Sequence, residues 1–245
     1  RGASDDKGQF ITRLAAVDAV RAAHDGTLPC NITFVVEGEE EIGSPHIASF
    51  VQAHTDLLKC QGSIWEGGGI DPDGHPINLL GARGILGIEL HITTMTRDAH
   101  SGNAHILPNA AWRLVRVLET LKDPDTERVR IPGFYDQAKP PSETDLELLK
   151  ALPAHEALRK EVYGVETFLL GRTGEALKRA VFEPTCNIQG ITTGYQDDGL
   201  KTVIPAEATA KLDFRLVPDQ DPDDILAKLR DYLADQGFDD VPVKP

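Results

Sequence analysis

The run Glu37-Gly38-Glu39-Glu40-Glu41 puts four carboxylates within five residues, and adjacent carboxylates repel unless a cation or a proton lies between them. Ser4-Asp5-Asp6-Lys7-Gly8 and Glu66 add two further acidic points. Arg97-Asp98-Ala99-His100-Ser101-Gly102 brings a histidine into a turn-rich setting, and Arg215 stands among the apolar residues Leu212, Phe214 and Leu216. Each of these has an ordinary structural role as well: a solvated acidic loop, a helix cap, an exposed strand end, a hydrogen-bonded turn histidine, a surface arginine. Convergence of the three acidic points in one crevice implies a metal ion. The planar fork of Arg215, projecting from the face opposite Phe214 and Leu216, suits a carboxylate.

The elements that must position these residues follow from periodicity. Phe10, Leu14, Val17 and Val20 recur at three- and four-residue spacing and predict a helix over 10–24, stopped by Gly26. Residues 31–36, NITFVV, predict a short strand that ends in the acidic run. Ser44 and Pro45 read as N-cap and first residue of a second helix reaching about Leu58, and 62–66, GSIWE, predict a strand closing on Glu66. Helix, strand, helix, strand predicts a parallel α/β unit, with all three acidic points at strand–helix junctions, where such sheets bind ligands. The glycine-rich 67–76 reads as a loop. A long strand over 84–96 and a helix from Pro108 come next. The Pro-rich stretch from Asp123 to about Val181 reads as an insertion with helical pieces near 143–152 and 172–181. NIQGITTG and residues 201–218 predict paired strands joined at YQDDG, and Asp221 caps a helix over 221–233 with Pro222 at its first position. The second half is thus expected to be an α+β sandwich.

With 25 Lys+Arg against 39 Asp+Glu, the 245 residues carry a net charge of −14. This acidity argues against a nucleic-acid or anionic-membrane partner. A hydrophobic share of 40% is that of a folded globular chain long enough for two modules or one large one. Cys30, Cys60 and Cys186 lack metal-type spacing and are odd in number, which predicts reduced thiols and a cytoplasmic setting. No apolar run approaches the roughly 20 residues that a membrane helix needs. The start RGASDDKGQ has neither an initiator Met nor a signal-peptide pattern, and VPVKP ends the sequence where a further strand is expected, so the chain reads as a fragment.

RGASDDKG, VEGEEEIGS, SIWEGGG, RDAHSG and KTVIPAEATAKLDFRLVPDQDP, in that order, resemble the metallopeptidase family M20, most closely its carnosine-dipeptidase-like branch. The resemblance is weak only across 123–180. It implies an α/β fold, with a partial parallel-sheet catalytic domain over 1–83 and an α+β lid and dimerisation domain over 84–245 that carries the helical insertion at about 123–180. It also implies a hydrolase of dipeptide-like substrates with a free carboxylate, working with two zinc ions, or manganese or cobalt, as a homodimer through the lid. Residue by residue, Asp5 resembles the carboxylate bridging both metals, commonly with a cis peptide bond to the next residue. Glu41 and Glu66 resemble ligands of one metal each, and Glu40 the general base. His100 resembles the lid histidine that crosses a dimer to stabilise the oxyanion, and Thr202 and Arg215 resemble substrate-binding residues. The family's histidine ligands would lie before Arg1 and beyond Pro245, which implies weak or absent metal binding and no activity in this fragment alone. Deacylation of N-acyl amino acids is the alternative reaction, and a dimerisation or cation-binding module the non-enzymatic one. A glycosidase pair of Glu40 and Glu66 would give Asp5, His100 and Arg215 no role.

Overall fold

The computed structural model describes residues 2–3, 5–65 and 67–245, which divide into two compact units, 1–81 and 82–245. In the first unit the apolar spacing forms α1 (Lys7–Ala23), with Asp6 at the N-cap but no side-chain cap bond. Phe10 meets Phe34 edge-on with ring centroids 5.7 Å apart, and Gln9 accepts the Gly67 amide at 2.7 Å. The expected second helix is shorter and broken: Ser44 has φ 50°, so it cannot serve as N-cap, and the chain instead forms α2 (Ile47–Ala53) and α3 (Thr55–Leu58), divided at His54. β1 (Gly69–Ile70) and β2 (Pro76–Ile77) form an antiparallel hairpin around Asp71, whose Oδ1 accepts the Asp73 and His75 amides.

The strands expected at 31–36 and 62–66 are not formed: neither 31–36 nor 62–65 pairs with a neighbour, so the parallel sheet expected of this unit is absent among the described residues. An extended segment gains a ladder only from a partner strand, and here Val36, Ile64 and Trp65 stay exposed. Glu66 lies outside the described residues. The mixed α/β class holds for the chain as a whole.

The second unit is organised by one antiparallel sheet. Its elements are β3 (Gly84–Thr93), β4 (Ala99–His100), α4 (Ala110–Leu121), α5 (Glu143–Ala151), α6 (Glu156–Tyr163), α7 (Gly174–Arg179), β5 (Thr185–Thr193), β6 (Val203–Ile204), β7 (Glu207–Leu216), α8 (Pro222–Asp235) and β8 (Val243–Lys244). The strand order is β5-β7-β3-β8, and β4 pairs separately with β6. β3 and β7 run in unbroken register from Gly84 opposite Leu216 to Thr93 opposite Glu207. Alternation along them buries Leu86, Ile88, Leu90 and Ile92 with Ala208, Ala210, Leu212 and Phe214 on one face. Leu114, Val117 and Leu121 of α4 and Ile225, Leu229 and Leu233 of α8 cover that face.

α4 starts two residues later than Pro108 because the Asn109 side chain accepts the Ala111 and Trp112 amides and sets the cap there. α5 begins on a capping box between Ser142 and Asp145, and α8 on Asp221 with Pro222 behind it. The Pro-rich stretch is partly core, since Val129, Ile131 and Phe134 are buried in the main cluster. Asp123 turns its start: Thr126 and Arg130 hydrogen-bond its carboxylate and hold its pKa near 2. No described helix is long and apolar enough to cross a membrane.

Two outcomes test this core. Leu229→Ala removes a side chain that is 0% exposed and is expected to lower stability by about 3 kcal/mol in urea unfolding. Burial pushes the Cys186 thiol up to about 12 from the ordinary 9.0, whereas Cys30 and Cys60 are exposed. Iodoacetamide at pH 8 should therefore label Cys30 and Cys60 and spare Cys186 until the protein is denatured, read by mass spectrometry. Because the folded value is the higher one, the thiol's contribution to stability is complete below pH 9 and fades as pH rises towards 12.

Candidate functional site

Asp98 closes the strand-to-turn passage after β3, because its Oδ1 accepts the Ala206 amide at 2.9 Å and so ties the RDAHSG motif to the chain entering β7. The Thr94 amide donates to the Ala206 carbonyl at 2.8 Å from the same side. These bonds let β4 pair with β6, with Ala99 opposite Ile204 and His100 opposite Val203. The Ser101 amide donates to the Thr202 carbonyl at 3.1 Å, so His100 and Thr202 become neighbours across this small ladder. An open hollow of about 550 Å³ borders it, lined among others by Thr96, Arg97, His100 and Asn103.

The His100 ring is held by its own turn. Its Nδ1 accepts the Gly102 amide at 3.0 Å, which places the ring hydrogen on Nε2. An exposed imidazole held in this way presents an N–H donor outward, the group needed to stabilise an oxyanion. Gly102 leaves room for this geometry, since a Cβ there would lie 3.0 Å from His100 Nδ1 and crowd the ring.

Arg215 stands at the other end of β7, on the sheet face opposite the helices. Its side chain is 51% exposed, and its Nε lies 3.6 Å from Asp213 Oδ1, while Asp213 is only 7% exposed and accepts the Asn187 amide nitrogen at 2.9 Å through Oδ2. Asp213 and Asn187 carry no signal of their own in the sequence; alternation within LDFR puts Asp213 on the Arg215 face, but only the β5–β7 register brings Asn187 opposite it. β6 lies next to the start of β7, so His100 and Thr202 belong to the Glu207 end of that strand, and Arg215 stands eight residue steps further on, about 26 Å along the strand from Glu207. The structure thus joins His100 with Thr202 and leaves Arg215 far from both within one chain.

The remaining expected residues belong to the first unit. Asp5 is exposed and its peptide bond to Asp6 is cis. Glu40 and Glu41 open a single 3-10 turn, Glu40–Ile42, behind Gly38. Within the acidic run, Glu39 meets His46 Nδ1 at 2.7 Å and Glu37 accepts the Ser44 hydroxyl.

Comparison with known proteins agrees with this architecture. The peptidase dimerisation domain model of the M20 family matches residues 80–241. Human Beta-Ala-His dipeptidase is 29% identical over 243 residues, covering 96% of this chain and 46% of that protein, and the mouse protein of the same name is 30% identical over 241 residues, covering 95% and 48%. Among solved structures, the M20 family metallo-carboxypeptidase Sso-CP2 from Sulfolobus solfataricus aligns over all of this chain and 55% of its own, at 38% identity and a TM-score of 0.87. Human carnosine dipeptidase 1 aligns over all of this chain and 53% of its own, at 26% identity and a TM-score of 0.75. The chain spans about half the length of the curated relatives it matches.

Gly102→Ala is expected to push the His100 ring off its turn. The check is the pair of imidazole nitrogen shifts, which should lose the signature of a hydrogen on Nε2 with Nδ1 accepting, while the sheet amides stay in place.

Proposed function

This chain belongs to the M20 peptidase family through its peptidase dimerisation domain, and from that premise we propose that it is part of a homodimeric, metal-dependent hydrolase of dipeptides and similar small amides with a free carboxylate. The observation that carries the reading is the unbroken β3–β7 ladder, which holds Arg215 near one end while His100 and Thr202 are gathered beside the other, with about 26 Å of strand between Glu207 and Arg215. A dipeptide is far shorter than that, so His100 and Thr202 of one copy act with Arg215 of another. The relatives named as dipeptidases and as a metallo-carboxypeptidase support the substrate class.

The dimer forms along β5, the longer of the two outer strands of the sheet, together with the outer stripe of α4. Ile188 and Ile191 on the edge and Trp112 and Val115 on the helix are large exposed apolar side chains. An unpaired edge beside an apolar stripe is the surface on which a second copy adds both backbone hydrogen bonds and buried area.

In the catalytic region, 1–83, Asp5, Glu41 and Glu66 would hold the metal ions. Carboxylate oxygens are hard donors suited to divalent cations, and zinc or manganese would be completed by ligands of other types. When bound, such ions supply Lewis-acid polarisation of the scissile carbonyl and acidify water. Glu40 takes the proton of the attacking water and passes it to the leaving amine. The outward Nε2–H of His100 donates to the oxyanion as the tetrahedral centre forms, where a single well-aimed donor contributes about a hundredfold or more in rate. Arg215 holds the substrate carboxylate by its guanidinium fork, with Thr202 beside His100 closing on the substrate.

Hydrolysis of β-alanyl-histidine and other dipeptides with added zinc or manganese, measured on this chain and on any longer protein containing it, tests the reading. Turnover is expected where the catalytic region is complete, with Glu40→Gln at least a hundredfold slower at unchanged metal content. Absence of turnover in every form removes the enzyme reading. Val115→Asp is expected to convert the dimer to a monomer in sedimentation equilibrium; a monomeric unaltered protein overturns the shared site.

A further inference from the structure

β7 lies between β3 and β5, yet the Arg83 guanidinium, one residue ahead of β3, donates from Nη2 to the Glu183 carbonyl, two residues ahead of β5, at 2.8 Å. The side chain must therefore cross β7 from one flank to the other, about two strand spacings or roughly 9.5 Å. With Gly84 opposite Leu216 and Thr185 opposite Arg215, positions 83 and 183 both come beside Val217, so the crossing lies two residues past the row in which Ile85 and Thr185 flank Arg215. Counting by twos from Ile85 puts position 83 on the Arg215 face, which makes the two arginines diagonal cross-strand neighbours.

The charges there are unbalanced. The acceptor of Arg83 is a neutral carbonyl, its Nε is buried without a hydrogen-bond partner, and the Glu183 carboxylate is taken by Arg172. Asp213 is the one carboxylate paired with Arg215 among the described residues, and it also serves Asn187. Of the two guanidiniums, Arg215 alone is paired with the buried carboxylate of Asp213, and Arg83 has a carbonyl as its partner. Burial and the neighbouring Arg215 hold the Arg83 guanidinium below the usual arginine range.

We propose that Arg83 is the second cationic arm of the Arg215 subsite, so that an incoming carboxylate lies against both guanidiniums and supplies the negative charge that the protein leaves out. The proposal rests on Arg215 being the carboxylate-binding residue. Asp213, fixed by Asn187, engages the Nε side of Arg215 and leaves its Nη edge for the ligand, while Arg83 approaches from the β3 side. The ligand class is a small molecule with a free terminal carboxylate. An amide at that position brings no charge and is rejected.

The test follows the arginine Nε–H resonances of the full chain by NMR during titration with N-acetylglycine, with N-acetylglycinamide as the uncharged control. Arg83 and Arg215 are both expected to shift with the carboxylate and neither with the amide. Arg83→Met should weaken N-acetylglycine binding about tenfold, the loss of one charge-assisted contact at a half-exposed site, and Arg83→Lys should restore most of it. A shift of Arg215 alone, with affinity unchanged in Arg83→Met, overturns the role of Arg83 and leaves the Arg215 reading intact. No shift at either arginine overturns both. If circular dichroism shows Arg83→Met unfolded, Arg83→Lys and the shifts in the unaltered chain decide, because they need no loss of the strap to Glu183.

Discussion

The ten-residue antiparallel ladder between β3 and β7 is the constraint on which the rest of residues 82–245 depends. A side-chain period of two sends Leu86, Ile88, Leu90 and Ile92 with Ala210, Leu212 and Phe214 to the helix-covered face, so a slip of one residue would expose the whole set. Burial of each such side chain contributes about 1.5–3 kcal/mol, which is why the register is strongly specified. The same register fixes the opposite face, where Arg215, Asp213 and Asn187 meet.

A rigid ladder also acts as a ruler. His100 and Thr202 are gathered at one end by Asp98 and the β4–β6 pairing, and Arg215 is held at the other by a buried carboxylate. Nothing in the strands can shorten the distance between them, because backbone hydrogen bonds run the full length of the pair. A reaction needing both ends requires a second chain, and the β5 edge with the apolar stripe of α4 provides a surface for one. On the proposed reading, fold stability, assembly and chemistry are linked through this one element pair.

Residues 1–81 are held by different means. None of the described residues there is buried; α1 is tied through Gln9 and Arg13 to the segment near Trp65, and Phe10 to Phe34. Before the acidic turn Glu40–Ile42, whose residues are exposed, Glu37 accepts the Ser44 hydroxyl and Glu39 meets His46. The segment 31–36 keeps an extended path but no ladder, since strand propensity lowers the cost of extension and pairing needs a neighbour.

Local chemistry was legible in the sequence wherever the physics is local. The cap at Asp221 with Pro222 and the long strand from Gly84 are set by near neighbours along the chain. Asp5, Glu40, Glu41, Thr202 and the roles of His100 and Arg215 were marked instead by resemblance to the M20 motifs, and the buried stripe of α4 runs through Ala110, Leu114, Val117 and Leu121 rather than from Ala111. The break at Ser44, the start of α4 at Ala110, and the passage of Val129, Ile131 and Phe134 into the core were not legible, because each depends on a side chain or surface met only after folding. Tertiary structure alone decided that Asp213 and Asn187 flank Arg215, that Arg83 bridges to Glu183 across β7, and that His100 pairs with Thr202 far from Arg215. Those relations are distances between strands, and a strand's register against its neighbours is a property of the packed sheet that no single segment contains.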